Sequence, residues 1–66
     1  MGLREMFERL RVMQGIEPPD AGSTAELCED LGQVRVSGYW SPRQLACLAE
    51  AARVVIERNA KERGDA

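Results

Sequence analysis

The stretch Trp40-Ser41-Pro42-Arg43-Gln44-Leu45 constrains this chain more than any other, because four independent signals make it the start of a helix. Ser41 is a preferred N-cap, whose hydroxyl accepts a hydrogen bond from an otherwise orphaned amide. Pro42 fits the first helical position, where its missing amide costs nothing. Gln44 completes an S-x-x-Q capping box, and Trp40 before the cap can pack on Leu45 as a hydrophobic staple. The helix is predicted to span about 41–59, with residues 60–66 as a charged tail that frays.

This helix has an unusually wide apolar face. At ~100° per residue, Leu45, Leu48, Ala49, Ala52 and Ile56 cluster on one side, and Cys47, Ala51 and Val54 carry the band around to roughly 220°. A one-sided surface helix needs a stripe of only ~100° or somewhat more. Either the chain wraps its own helix on both flanks, or the flank of Cys47, Ala51 and Val54 is buried against another protein. Trp40 likewise serves either as the clasp of the helix start or, with the neighbouring Tyr39, as a recognition residue.

Two further helices are expected upstream. Leu3, Met6, Phe7, Leu10 and Met13 form one stripe at helical period over residues 2–14. Gly15 then suits the residue past the helix end, Ile16 folds back in a Schellman-type close, and Pro18 and Pro19 forbid continuation. Residues 17–23 are a turn-rich connector. Ser23 and Glu26 make an S-x-x-E box, and Leu27, Leu31 and Val34 at i, i+4 and i+7 predict a helix over 24–36. Gly32 interrupts that pattern at a cost of ~1 kcal/mol inside a helix. The competing reading ends the helix at Leu31 and makes 33–36 extended, because Val34 and Val36 alternate with Gln33 and Arg35. The expectation is therefore an all-α fold: one three-helix domain over 1–66, with an N-terminal helix in 1–16 and a helical hairpin over 24–59.

Such a chain needs a staple. With 66 residues it buries only about 60% of its unfolded surface, and domains of this size add a disulfide, a metal or a second subunit. Cys28 and Cys47 are the two cysteines, and histidine is absent, so a tetrahedral zinc site cannot be closed. Glu29 and Asp30 beside Cys28 read as a solvated helix face and not as oxygen ligands. Residues 1–16 lack the basic-then-apolar pattern of a signal peptide, so a cytoplasmic location with free thiols is expected. Association with a protein remains as the staple.

Composition also narrows the chemistry. Without histidine there is no ordinary general base near neutral pH. Ser23, Ser37 and Ser41 have no base partner, and no phosphate loop or dinucleotide fingerprint is present. No enzyme activity and no cofactor are expected. Three arginines face seven acids in residues 1–33, and six cations face four acids in 34–66, for a net charge of −2. A non-specific nucleic-acid binder shows a dense basic stripe, which is missing. No run of 18 apolar residues exists to span a membrane.

Residues Leu27 to Leu45, with Gly38-Tyr39-Trp40-Ser41-Pro42-Arg43-Gln44 at their centre, resemble a short helix–turn–helix segment recurring in bacteriophage and mobile-element proteins, whose core is G-x-[LW]-S-x-[KR]-Q. The resemblance covers about a third of the chain. It implies a phage-type origin, and phage genomes are rich in small proteins that bind and redirect other machinery. The leading expectation is thus a protein-binding module acting as a dimer, an adaptor or an inhibitor of a host protein, with Trp40, Tyr39, Cys47, Ala51 and Val54 at the contact. The alternative is a DNA-binding helix-turn-helix accessory protein using Arg43, Gln44 and Arg35. Against it, the next outward positions are Ala46, Cys47 and Glu50, a poor set for phosphate or base contact.

Overall fold

The computed structural model describes residues 2–64, arranged in the order helix, strand, strand, helix. Helix α1 spans Leu3–Gln14, strand β1 Thr24–Cys28, strand β2 Gln33–Ser37 and helix α2 Pro42–Glu62. The two strands form an antiparallel hairpin in which Ala25 pairs with Val36, Glu26 with Arg35 and Leu27 with Val34. The fold is α+β. This overturns the all-α expectation: the segment 24–36 is not a helix, and 24–59 is not a helical hairpin.

The physical reason lies in which periodicity finds a surface to cover. Ala25, Leu27 and Val34 alternate with Thr24, Glu26, Cys28, Gln33 and Arg35, and only the first three pack against the core. This is a two-residue period with one wet face. The helical reading depended on Leu31, which sits at the hairpin tip and stays 68% exposed. Gly32 adopts φ +63°, the left-handed region, and its amide closes a turn by donating to the Glu29 carbonyl at 3.2 Å. A helix interior would have paid for that glycine, whereas a four-residue hairpin loop uses it. The extended reading of 33–36 therefore applies, and β1 joins it. Ser23 caps no helix here: its hydroxyl donates to the Tyr39 carbonyl at 3.4 Å.

Both predicted helix ends of α1 and α2 are built from local chemistry. At the end of α1 the Gly15 amide donates to Val12 O and the Ile16 amide to Arg11 O, a Schellman pair that turns Ile16 into the core. Arg11 holds the same corner, forking onto the Glu8 carboxylate at 2.6–3.0 Å and reaching the Ile16 carbonyl at 3.3 Å. These bonds from Arg11 keep the Glu8 carboxyl below its ordinary pKa. Met13, the last member of the predicted stripe, is 80% exposed, and at this final turn of α1 the contact with α2 is made by Gln14, whose Nε2 donates to Glu50 Oε1 at 3.0 Å. Helix α2 starts as expected and extends to Glu62, past the predicted end at Asn59. Residues 65 and 66 of the predicted frayed tail lie outside the described residues.

The core is the seam between α1 and α2. Phe7 and Ala51 are fully enclosed, with Leu48, Cys47 and Val55 close behind. Full burial of a side chain such as Phe7 contributes about 1.5–3 kcal/mol. Trp40 closes one end of this seam. Its ring meets Phe7 edge-on at 5.4 Å, its indole N–H donates to the Ser37 carbonyl, and the Arg4 guanidinium lies 5.6 Å from its centroid. The strand ends crowd here: Gly38 has φ +86°, and a Cβ on it would stand 2.7 Å from Ser23 Oγ and 3.0 Å from Ser23 Cα.

Candidate protein-binding groove

Strand β2 and helix α2 run antiparallel, joined by the short link at Gly38–Trp40. They are tied at both ends. At the base Trp40 is locked into the core, and at the hairpin tip Glu29 Oε1 accepts from Asn59 Nδ2 at 3.2 Å and lies 3.9 Å from Arg63 Nη1. Between these ties the two elements stand apart and enclose an open groove of about 670 Å³.

The groove is apolar because of two spacings. Val34 and Val36 share the inward face of β2 and form one wall. Leu45, Ala49, Ala52 and Ile56 recur at helical period on α2 and form the other, with Leu48 beneath. Leu45 is 42% exposed and Val36 39% exposed, although both point toward apolar neighbours. The charged lining residues are Arg53 and Glu57, both on α2. Along the helix the groove spans Leu45 to Glu57, roughly 18 Å at 1.5 Å per residue. The outer edge of β2 borders it and pairs with no strand among the described residues.

The structure moves the uncovered flank to the opposite side of the helix from the one expected. Cys47 is 2% exposed and Ala51 is fully enclosed in the seam with α1, and Val54 packs at the margin of the same core. Cys47 and Ala51 are interior to the chain itself, and Val54 is half-buried. Burial raises the Cys47 thiol pKa, with Glu50 adding to the effect. Trp40 is likewise a core clasp, so of the five residues expected at a protein contact only Tyr39, 65% exposed, presents a large open surface. The groove residues Leu45, Ala49 and Ile56 were expected on one apolar side of the helix, but neither they nor Val34 and Val36 were expected at a partner contact. Their signal was legible in α2, since Leu45, Ala49, Ala52 and Ile56 sit at i, i+4, i+7 and i+11, but a helix over 24–36 would have covered them.

The three residues expected at a DNA contact do not share a face of one helix. Gln44 is buried, and its side chain is bonded at both ends: Oε1 accepts from the Ser41 amide at 2.7 Å, and Nε2 donates to the Glu17 carbonyl at 2.9 Å. Arg43 is exposed beside Ile16, and Arg35 is exposed at the middle of β2. The segment before the turn at Ser37–Trp40 is a strand, so the first helix of a helix-turn-helix is not formed there.

Among the described residues no group of three or more Cys, Asp or Glu could hold a metal ion, and no helix is long and apolar enough to cross a membrane. Cys28 is exposed and Cys47 buried, both as free thiols. Comparison with known protein families, with curated proteins and with solved structures finds no match.

Proposed function

We propose that this chain is a non-enzymatic protein-binding module of the adaptor or inhibitor kind, and that its contact surface is the groove between β2 and α2. The observation that supports this reading is the groove itself, about 670 Å³ of space walled by valine, leucine, alanine and isoleucine side chains and open to solvent. Apolar surface of this kind gains free energy at about 25 cal/mol per Å² when a partner covers it. Contiguous exposed apolar surface with a polar rim marks protein interaction sites and ligand-binding grooves. A host protein as the target follows only from the resemblance to phage and mobile-element sequences.

The test is a binding assay with the purified chain and an Ile56→Asp variant at matched concentration. Protein association, to itself or to a foreign protein, that the wild type shows and the variant loses supports the reading. Binding to duplex DNA that falls steeply with salt and is lost in Arg43→Ala, with no protein association, overturns it.

A further inference from the structure

We infer that the β1–β2 hairpin is a flap over the groove, pivoting at its base and latched at its tip by Glu29, and that it lifts from α2 while the seam between α1 and α2 stays folded. The core lies outside the hairpin. Among the described residues, every buried apolar side chain belongs to α1, to α2, or to Ile16 and Trp40 beside them, and residues 17–39 supply none. The hairpin holds to this core through the half-buried side chains of Ala25, Leu27 and Val34. Elements with little buried apolar surface open at the lowest free energy, ahead of the elements that share a core.

The fastenings of the hairpin are unequal at its two ends. At the base its two feet are joined to each other: Gly38 lies against Ser23, and the Ser23 hydroxyl donates to the Tyr39 carbonyl. The feet are also tied to the helical part, by Arg4 Nη1 donating to the Ser23 carbonyl at 3.2 Å and the Trp40 indole N–H to the Ser37 carbonyl at 3.1 Å. Glycines with positive φ flank the strands, Gly22 at +90° and Gly38 at +86°. The chain turns there without straining a residue that carries a side chain.

The tip stands about 17 Å from the base, the length of one five-residue strand. Its ties are polar and wet: Glu29 Oε1 accepts from Asn59 Nδ2 at 3.2 Å, and Arg63, 61% exposed, lies 3.9 Å from the same oxygen. Contacts of this kind hold weakly in water. Between base and tip, Val34 and Val36 are the β2 wall of the groove, so the position of the flap sets the width of the groove.

Amide hydrogen exchange of the native protein, followed by NMR in water and in urea below the unfolding transition, tests this. A two-stranded hairpin is marginally stable on its own, so a lifted flap frays and exchanges its paired amides. The strand amides are expected to be at least about tenfold less protected than those of Phe7, Leu48 and Ala51, and nearly indifferent to urea. The seam amides should instead speed up steeply with urea, because their exposure requires global unfolding and its larger surface. Glu29→Ala should speed the strand amides roughly two- to fivefold, the loss expected of an exposed polar pair. Glu29→Gln, which keeps an acceptor for Asn59, should speed them less. Strand amides that match the seam amides in protection and in urea slope overturn the flap, and strand amides indifferent to Glu29→Ala overturn the latch. Either failure leaves the groove standing as a protein contact, because association lost in Ile56→Asp is measured separately.

Discussion

Replacing Gln44 by alanine should be among the most damaging polar changes available to this protein. The residue is 5% exposed and joins two parts of the chain that lie 27 residues apart. Its Oε1 satisfies the Ser41 amide at the start of α2, and its Nε2 holds the Glu17 carbonyl in the connector after α1. Gln44→Ala removes both bonds but keeps the backbone bond from the Gln44 amide to Ser41 Oγ, at 3.1 Å. Loss of a capping interaction costs about 1 kcal/mol. Loss of a second, part-buried bond costs about 1 kcal/mol more, because water reaches the freed carbonyl and limits the desolvation penalty. The total of about 2 kcal/mol corresponds to a fall in Tm of about 8–16 °C for a domain of this size. Calorimetry or urea denaturation followed at 222 nm, with protein concentration held constant, measures it. Ser41→Ala, which loses only the cap, should cost about half as much. If Gln44→Ala were no worse than Ser41→Ala, the bond to Glu17 would contribute nothing and the two-ended latch would be wrong.

Gly38→Ala should destabilise by about 1–3 kcal/mol in the same assay, because φ +86° is strained for alanine and its Cβ would press on Ser23 at 2.7–3.0 Å. Iodoacetamide should modify one thiol rapidly in the native protein, exposed Cys28, and buried Cys47 only after denaturation, as peptide mass mapping would show. Glu8 has a folded pKa below its ordinary 4.5 through its bonds to Arg11. Its contribution is therefore present above pH 4.5 and lost as pH falls through the lower folded value. The side chain is 44% exposed, so the effect is small: Glu8→Gln should lower the neutral plateau slightly and leave stability at low pH unchanged, which flattens the acid limb of the profile.

The start of α2 and the stop of α1 are the parts of this protein that the sequence declares by itself, whereas the capping box at Ser23 and Glu26 starts no helix. Ser41, Pro42 and Gln44 act within four residues of one another, and Gly15 and Ile16 close α1 onto Arg11 and Val12, so local hydrogen-bonding chemistry suffices to predict both. The width of the apolar band on α2 was equally legible, because helical periodicity depends only on spacing. Residues 24–37 were not decided in this way. Leu27, Leu31 and Val34 satisfy a helical period while Ala25, Leu27, Val34 and Val36 satisfy a strand period, and a short amphipathic segment follows whichever surface it is given. Packing against α1 and α2 selects the strand period, which half-buries Leu27 and Val34 against the core, frees Leu31 and places Gly32 where a left-handed turn is needed. The candidate site follows from that choice. A hairpin is thinner than a helix and covers only one flank of α2 beyond the flank already taken by α1, so Cys47 and Ala51 become interior while Leu45, Ala49 and Ile56 line an open groove. No local pattern carries this outcome, because which flank stays bare depends on the dimensions of a neighbouring element whose form is itself set by the tertiary contacts.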